Sequence, residues 1–384
     1  MADHSIRIKK VRISELTEFA QHYFDTADPN CVVPLSKLRA HAHSTNPYAD
    51  PDDVALVVAM RGSECIGYIG LLPGILRDGQ ETGKIYWYTT WFVHPDVRHT
   101  SAGGMLILAT LSLDYDLVAA DMAPQTVAFY QRLGFISLGP LPYYEMNLNH
   151  VDPIAPAWLV QRALSRRRGR RIKWIDTALA ASRAMNSRLF FTLVDPLLAK
   201  TIRGFEFREL AEPPLNVSIL NDGPTARFYR GTEVVRWMLQ HPWTTDQSTD
   251  ATPGYYFSDF RPLARFVVLE ARPAKLQSLS YLVLSISRDE GQTTVKALDH
   301  SLTSGEDHRV LLAAALTYAR RYRANRVLLP EQISPCVEAS SFLRLLFRRK
   351  HRLYFCRPRQ SGSMLKPNPD RIRLDFCDGD SPFT

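Results

Sequence analysis

The sequence predicts an α/β protein with two mixed-sheet units in one chain, and three observations support this. The chain has 384 residues, which is more than one ordinary hydrophobic core accommodates. Residues 1–150 alternate between strand-like and helix-like segments. From residue 205 to residue 358 the order of segments repeats the latter half of that first region. We therefore expect a second, degenerate copy of the N-terminal domain.

The N-terminal segments are predicted from their apolar periodicity. Apolar residues have helical spacing over 11–24. Two apolar runs, 54–60 and 65–72, flank Arg61-Gly62-Ser63 and predict a hairpin. The later segments are predicted in order as a strand, a buried helix, a short strand, a helix and a closing strand: 85–93, 105–113, 117–120, 124–133 and 143–148.

The rest of the chain divides by composition. Residues 151–204 have helical spacing and are predicted as a basic linker. The second domain is predicted over 205–358 and a tail rich in Pro, Ser, Gly and Asp over 359–384. Within the second domain we predict strands at 266–269, 281–286, 293–298, 326–329 and 353–356, and helices at 310–322 and 337–347.

Composition narrows the class of protein. Hydrophobic residues make up 45% and charged residues 22%, which is ordinary for a folded globular protein. The formal net charge of +8 fits anionic partners without choosing among nucleic acid, a membrane surface and a phosphorylated cofactor. Five scattered cysteines without zinc-ligand spacing favour reduced thiols. There is no signal-peptide core at the N-terminus and no apolar run long enough to span a bilayer, so we expect a cytoplasmic protein.

The most informative stretch is a small-residue loop between an apolar strand and an apolar helix. It reads Val93-His94-Pro95-Asp96-Val97-Arg98-His99-Thr100-Ser101-Ala102-Gly103-Gly104. The first N–H groups of a helix lack internal partners, and the helix dipole favours negative charge there. Glycine and serine allow a diphosphate to approach the backbone. The pattern predicts an anion site.

A second segment, Ala128-Phe129-Tyr130-Gln131-Arg132-Leu133-Gly134-Phe135, follows about thirty residues later. The two segments together resemble the GNAT superfamily of acyl-CoA-dependent N-acetyltransferases, in which a Val-x-Pro turn precedes an Arg/Gln-x-x-Gly-x-Gly/Ala loop. The resemblance implies a mixed, mostly antiparallel, splayed sheet flanked by helices. It also implies acetyl-CoA or another acyl-CoA as co-substrate and an amine of a small molecule or sugar as acceptor.

The resemblance assigns roles to residues of this chain. It implies that the loop backbone holds the cofactor diphosphate and that the strand edge pairs with the pantetheine arm. The implied cofactor-binding residues are Phe92, Val93, Arg98, His99, Thr100, Ser101, Ala102, Gly103 and Gly104. Tyr130 is the implied catalytic residue, a phenol that protonates the departing thiolate. Packing against the sheet is the alternative role for Tyr130.

The general base stays unassigned. An attacking ammonium must lose a proton, and the strand Tyr86-Trp87-Tyr88-Thr89-Thr90-Trp91 contains no carboxylate. His94, Glu81, Asp121 and Glu145 lie near in sequence, and none is singled out by its spacing. No metal site is predicted.

Two departures from the family pattern leave an alternative function open. Ser101 stands in place of the first loop glycine, and serine resists a positive φ. Ala123 stands where the family often has an asparagine that contacts the pantetheine arm. The alternative is a catalytically inactive acyl-CoA-binding or membrane-surface assembly protein.

Two further segments bear on partners. The basic run from Arg166 to Arg171 fits a solvated linker face or an anionic membrane surface, and nucleic acid is disfavoured because no recognised module surrounds the run. In the second domain, Gly231 to Trp237 followed by His241-Pro242 resembles an element of tandem GNAT-like proteins. The loop from Asp299 to Asp307 is acidic and would repel a diphosphate.

Overall fold

The chain forms two compact units, and each is assembled from segments that are distant in sequence. In the computed structural model, unit 1 comprises residues 1–141, 215–260 and 352–384, and unit 2 comprises residues 142–214 and 261–351. The structure describes residues 5–26, 32–120, 124–148, 189–194, 196–213, 226–247, 252, 254–257, 259–273, 280–289, 291–301, 308–365, 372–376 and 378–380.

The elements are numbered in chain order. The strands are β1 (Ile6–Arg12), β2 (Val54–Arg61), β3 (Glu64–Asp78), β4 (Glu81–Val93), β5 (Leu117–Ala120), β6 (Ile136–Asn147), β7 (Phe205–Leu210), β8 (Ala226–Tyr229), β9 (Leu263–Pro273), β10 (Ser280–Asp289), β11 (Gln292–His300), β12 (Arg326–Pro330), β13 (Phe347–Arg357) and β14 (Ile372–Arg373). The helices are α1 (Leu16–Thr26), α2 (Lys37–Ser44), α3 (Ala102–Leu111), α4 (Pro124–Arg132), α5 (Thr232–Gln240), α6 (Arg309–Tyr322), α7 (Ser334–Glu338) and α8 (Ser341–Leu346).

The sheet of unit 1 has the order β1-β2-β3-β4-β5-β13. Neighbouring strands run antiparallel except for the parallel pair β4 and β5, which α3 connects. Helices α1 and α2 supply the apolar core on one face of β3 and β4, and α3 and α4 supply the core on the other face. The two faces of β4 therefore meet different environments.

The sheet of unit 2 has the order β6-β12-β11-β10-β9-β7, with β11 and β12 parallel and α6 between them in sequence. Helix α6 is buried around most of its circumference. The surrounding core also includes residues of β9, β10, β11 and β12. Both units thus contain three antiparallel strands, a helix and a parallel strand in the same order. The predicted fold class, a mixed and mostly antiparallel sheet flanked by helices, is confirmed.

The strand beside each parallel pair comes from elsewhere in the chain. In unit 1, β13 pairs with β5 through its residues Tyr354 to Arg357. In unit 2, β6 pairs with β12 through Tyr143 to Asn147. Part of the segment predicted as a tail also belongs to unit 1, because β14 pairs with β8 and Leu365 is fully buried.

Several predicted elements have different bounds in the structure. Residues 6–12 form a strand, so the helix predicted over 11–24 starts only at Leu16. The helix predicted over 337–347 is two short helices, α7 and α8, because Ser340 caps a new helix by accepting the Leu343 N–H at 3.3 Å. Helix α2 and strand β8 were not among the predicted elements.

A β-bulge interrupts the pairing of β3 with β4. Ile69 pairs with Trp91 and Leu71 pairs with Tyr88, so β4 holds one residue more than β3 across this interval. The extra residue reverses the alternation, because Tyr86 and Tyr88 pack in the α3 core before the bulge and Trp91 and Val93 do so after it. One face of β4 consequently keeps a continuous aromatic surface.

Gly70 is the residue of β3 that accommodates this bulge. A Cβ atom on Gly70 would lie 2.5 Å from the Oγ1 of Thr89 and 2.7 Å from the Oγ1 of Thr90. We expect Gly70→Ala to lower the free energy of unfolding by about 1–3 kcal/mol, because this overpacking forces the strands apart. The midpoint of thermal unfolding measures the effect.

The matched control is Gly104→Ala, whose added methyl meets no atom within 4 Å. A Gly70→Ala protein that unfolds at the wild-type temperature would show that the bulge is not tightly packed against β3.

Candidate functional site

The central feature of the site is a gap between β4 and β5. The two strands pair at Tyr86 with Leu117 and at Trp87 with Val118, and within the described residues they pair nowhere else. Beyond that point β4 continues to Val93 along β3, whereas β5 pairs with β13. No described strand therefore pairs with the edge of β4 after Trp87, which leaves backbone hydrogen-bonding groups for another partner.

Val93 is the last residue of that edge. The N–H of the next residue, His94, donates to the Ile66 carbonyl of β3 at 2.9 Å. Because backbone groups alternate sides along a strand, the N–H and C=O of Val93 face the gap, and those of Phe92 face β3. The Nε of Arg98 donates to the Val93 carbonyl at 3.2 Å. Arg98 is thus anchored at the mouth of the gap.

The turn between β4 and α3 is held by its own side chains. The Nδ1 of His94 accepts the Asp96 N–H at 3.3 Å. The Thr100 hydroxyl donates to the Val97 carbonyl at 2.7 Å and accepts the Ala102 N–H at 3.3 Å. Ser101 has φ −72° and ψ −4°, so the serine in this loop needs no positive φ. The loop is unstrained without the family glycine.

The N-terminus of α3 is available to an anion. Its first intrahelical hydrogen bond runs from the Met105 N–H to the Ser101 carbonyl at 2.9 Å, and the Ser101 side chain makes no capping hydrogen bond. The N–H groups of Gly103 and Gly104 precede that bond, so they have no partner inside the helix. Gly104 is exposed, and a Cβ atom there would meet nothing within 4 Å.

The predicted loop residues come together at this point. Arg98, His99 and Ser101 are exposed, whereas Ala102 is fully buried. A Cβ atom on Gly103 would be 3.6 Å from Val93 Cγ2, so the first turn of α3 lies directly against the end of β4. The structure therefore places the free N–H groups of α3 beside the open edge of β4.

Tyr130 lies in the last turns of α4, and its position is fixed by the way that this helix ends. Gly134 has φ +84°, the Gly134 N–H donates to the Gln131 carbonyl at 3.0 Å, and the Phe135 N–H donates to the Tyr130 carbonyl at 3.1 Å. These bonds form a Schellman motif, and its usual apolar contact is made by the Tyr130 and Phe135 rings, whose centroids are 4.9 Å apart. The Tyr-x-x-x-Gly-Phe spacing thus has a structural cause.

The Tyr130 ring also contacts the gap. Its centroid is 5.8 Å from that of Trp91 and 6.3 Å from that of Tyr88, both on β4. Burial, together with the nearby Tyr88, raises the pKa of Tyr130. The hydroxyl has no hydrogen-bond partner among the described residues. Tyr130 is therefore a protonated phenol near neutral pH, and its O–H donates no hydrogen bond to a described residue.

The structure also places a residue at the gap that the sequence analysis did not single out. Trp91 stacks on Phe129 at 6.3 Å, and its buried Nε1 has no hydrogen-bond partner within the described residues. The only sign in the sequence that Trp91 lies at the gap was the run of aromatic residues in β4. The bulge divides this run between the two faces of the strand.

None of the four candidates for a general base is supported as one. His94 belongs to the turn, and Glu81 is exposed at the opposite end of β4. Glu145 lies in unit 2, where burial opposes its ionisation but hydrogen bonds from Lys350 and Arg326 lower its pKa. Asp121 lies outside the described residues.

Other predicted features have the following positions. In unit 2 the Tyr281 hydroxyl donates to Asp299 at 2.5 Å, and the rest of the acidic loop, 302–307, lies outside the described residues. Ala123 and the run from Arg166 to Arg171 lie outside them as well. Within the described part of the chain, no group of three or more His, Cys, Asp or Glu residues could hold a metal ion, and no helix is long and apolar enough to cross a membrane.

Comparison with known proteins gives matches only among solved structures. No protein-family model and no curated protein matches the chain. A GCN5-related N-acetyltransferase from Anabaena variabilis matches over 92% of this chain and 73% of its own, with 12% identity and a TM-score of 0.43. Eis1 from Mycobacterium abscessus matches over 91% and 73%, with 13% identity and a TM-score of 0.44.

A tandem GNAT protein from the clavulanic acid biosynthesis pathway matches over 94% of this chain and all of its own, with 14% identity and a TM-score of 0.47. The resemblance to GNAT N-acetyltransferases stated from the sequence agrees with these matches.

The two glycines of α3 can be tested for a structural role in the helix. Neither has a positive φ, and an added Cβ atom meets only ordinary contacts or none. We expect Gly104→Ala to raise the free energy of unfolding by about 0.5–1 kcal/mol, since alanine is the better helix former. Chemical or thermal denaturation measures this change. A loss of stability would mean that the glycine is required by the fold rather than retained for a ligand.

Proposed function

We propose that unit 1 is an acyl-CoA-dependent N-acyltransferase that moves an acetyl or other acyl group from acyl-CoA to the amine of a small molecule or sugar. The observation that carries this proposal is the gap between β4 and β5, which opens directly beside the N-terminus of α3, where the Gly103 and Gly104 N–H groups have no partner inside the helix. The gap offers an unpaired strand edge to a chain that contains amides. The N-terminus of α3 offers N–H donors to a diphosphate.

The cofactor is held mainly by backbone in this proposal. The N–H groups of Gly103 and Gly104 bind the diphosphate, and the exposed Arg98 and His99 lie at the same end of the loop. The pantetheine amides pair with the β4 edge at Val93. The Val93 N–H donates to the cofactor, and the Val93 carbonyl, which accepts the Arg98 Nε, keeps a second lone pair for it.

The reaction is direct attack. The neutral amine nitrogen forms a bond to the thioester carbonyl carbon, the carbon–sulfur bond breaks, and the electron pair leaves with sulfur as the coenzyme A thiolate. Tyr130 gives its proton to that thiolate and regains one from the attacking amine through solvent. A thiol pKa near 8.5 makes this protonation helpful rather than decisive. Orientation of amine and thioester in the gap supplies most of the acceleration.

We further propose that unit 2 is a degenerate copy of the same domain and that the protein acts in the cytoplasm. The repeated order of strands, helix and parallel strand supports the first point. The bulge also recurs: Val283 pairs with Asp299 and Leu284 pairs with Ala297, so β11 holds one extra residue as β4 does. The acidic loop after Asp299 disfavours a second diphosphate site.

The diphosphate site is tested by Gly103→Glu. A carboxylate at the N-terminus of α3 would repel the diphosphate and fill its place, so we expect acetyl-CoA binding to become undetectable in calorimetric titration. Gly103→Ala is the control for backbone change, because its Cβ atom makes ordinary contact with Val93. Wild-type affinity in Gly103→Glu would refute the assignment of this loop.

The acid is tested by Tyr130→Phe, which keeps the ring contacts of the Schellman motif. We expect turnover, measured as thiol release with acetyl-CoA and an amine, to fall about 100-fold, at the lower end of general-acid effects, while acetyl-CoA affinity changes little. Tyr23→Phe in α1 removes a hydroxyl that contacts Met60 at 3.4 Å and serves as control. Unchanged turnover in Tyr130→Phe would leave Tyr130 with its packing role alone. Cofactor binding by the wild type with no turnover for any amine would favour the inactive-binder alternative.

A further inference from the structure

A buried polar cluster lies on the face of the unit 1 sheet opposite α3. We call it the Arg39 cluster and define it as Arg39 and His43 of α2, Tyr68 of β3, Trp243 and Tyr255. Arg39 is 5% exposed, His43 1% and Tyr68 0%. Polar side chains so fully buried are normally satisfied by hydrogen bonds, so each unsatisfied atom here needs a physical explanation.

Arg39 has only part of its hydrogen-bonding capacity used. Its guanidinium carbon stacks 3.8 Å from the centroid of the Trp243 ring, and its Nη1 donates to the Tyr255 hydroxyl at 3.0 Å. Its Nε and Nη2 are buried and have no hydrogen-bond partner among the described residues. No carboxylate of the described residues forms an ion pair with it. The cluster thus contains a buried positive charge, the Arg39 guanidinium. Its edge formed by Nε and Nη2 donates no hydrogen bond to a described residue.

The neighbouring side chains are unsatisfied too. His43 lies one helical turn after Arg39, with its ring 5.1 Å from that of Trp243, and neither of its ring nitrogens has a hydrogen-bond partner in the described part of the chain. Burial and then the Arg39 charge lower the pKa of His43 well below its usual value, so it is neutral. The Tyr68 hydroxyl also lacks a partner, and burial raises the pKa of Tyr68, so it remains a donor.

This arrangement is costly if packing is its only purpose. A buried donor without a partner destabilises a protein by about 1–3 kcal/mol, and more when it is charged. Methionine or leucine in place of Arg39 could pack on Trp243 without that cost. The unused Nε and Nη2 groups point in parallel, which is the geometry that takes both oxygens of a carboxylate. With His43 neutral, the cluster has one positive charge to balance, which matches a monoanionic carboxylate better than a phosphate dianion.

The cluster is also connected to the bulge of β4. Tyr68 and Gly70 are two residues apart on β3, so they share a face at a separation of about 7 Å. The space above Gly70 is taken by the hydroxyls of Thr89 and Thr90, and the Thr89 Oγ1 is buried without a partner. The Thr89 Oγ1 is therefore a further unsatisfied polar atom on the face that carries Tyr68, two residues beyond the last pairing of β4 with β5.

We propose that the Nε and Nη2 groups of Arg39, with the Tyr68 hydroxyl, bind a carboxylate of the amine acceptor, so that the acceptor is an amino acid or another amine bearing a carboxylate. This inference rests on the proposed acyl transfer and names its acceptor class. The carboxylate is held on the α2 face of the sheet and the amine extends toward the β4 bulge, while acyl-CoA enters from the α3 face.

The first test compares matched acceptors. Thiol release from acetyl-CoA is measured with free amino acids and with the same amino acids as α-amides. We expect the wild type to prefer the acids by about 10- to 100-fold in kcat/KM, the range of hydrogen bonds to a charged group, and Arg39→Met to lose that preference. Acetyl-CoA affinity by calorimetry should be the same in both proteins. Equal use of acids and amides by the wild type would overturn the carboxylate site and leave the acyl-transfer proposal intact.

A second test does not depend on turnover. We expect Arg39→Met and Tyr68→Phe, without ligand, to unfold at the wild-type temperature or above it, because each removes unsatisfied buried donors. Free amino acids should raise the unfolding temperature of the wild type more than their amides do, and neither variant should show this difference. The control is Arg12→Met, in which an exposed ion pair with Asp52 is lost.

The outcomes separate the two proposals. Lower unfolding temperatures for both ligand-free variants, with no difference between acids and amides in the wild type, would mean that Arg39 and Tyr68 are structural and would refute the site. Failure of acetyl-CoA to bind the wild type would refute the proposed function, whereas an acid-specific rise in unfolding temperature would still support the carboxylate site.

Discussion

The separation of β5 from β4 after Trp87 is the constraint on which the rest of unit 1 depends. If β5 stayed paired along the whole of β4, the backbone groups of Val93 would be satisfied within the sheet, and no ligand could reach them. The separation is possible because β5 has another partner, β13, and because the bulge at Thr89 and Thr90 increases the local twist of β4. The site therefore depends first on how the strands pair, and only then on particular side chains.

The same bulge gives the two faces of β4 different chemistry. On the α3 face, the shift in alternation brings Trp91 and Val93 into line with Tyr88, and these residues contact α3 and α4. On the α2 face, it places two threonine hydroxyls over Gly70, next to Tyr68. A helix N-terminus with N–H groups unpaired within the helix and a buried cation consequently lie on opposite faces of the sheet at β4. That is a suitable arrangement for bringing a phosphorylated cofactor and an acidic acceptor to a common gap.

The order of strand, turn and helix on the α3 face was predicted from the sequence, because that part of unit 1 is local. A strand, a small-residue turn and a helix start are contiguous from Val93 to Gly104, and their chemistry follows from the order of the residues. Whether serine fits the loop at position 101 could not be decided from sequence. The answer depends on the φ angle of Ser101, which the Thr100 hydrogen bonds determine. The role of Tyr130 stays a prediction, because the Schellman motif explains its spacing as fully as catalysis does.

The α2 face could not be predicted, because its residues meet only in the fold. Arg39 and Tyr255 are 216 positions apart, and nothing in the periodicity of α2 distinguishes Arg39 from a surface arginine. The same reason makes unit 1 impossible to outline from residues 1–150 alone. That segment lacks β13, which completes the sheet beside β5, and it lacks the residues around Trp243 and Tyr255 that cover Arg39. A fragment ending near residue 150 would expose the unpaired edge of β5 and the buried charge of α2 together, so the gap and both of its faces require segments from all three parts of the chain that form unit 1.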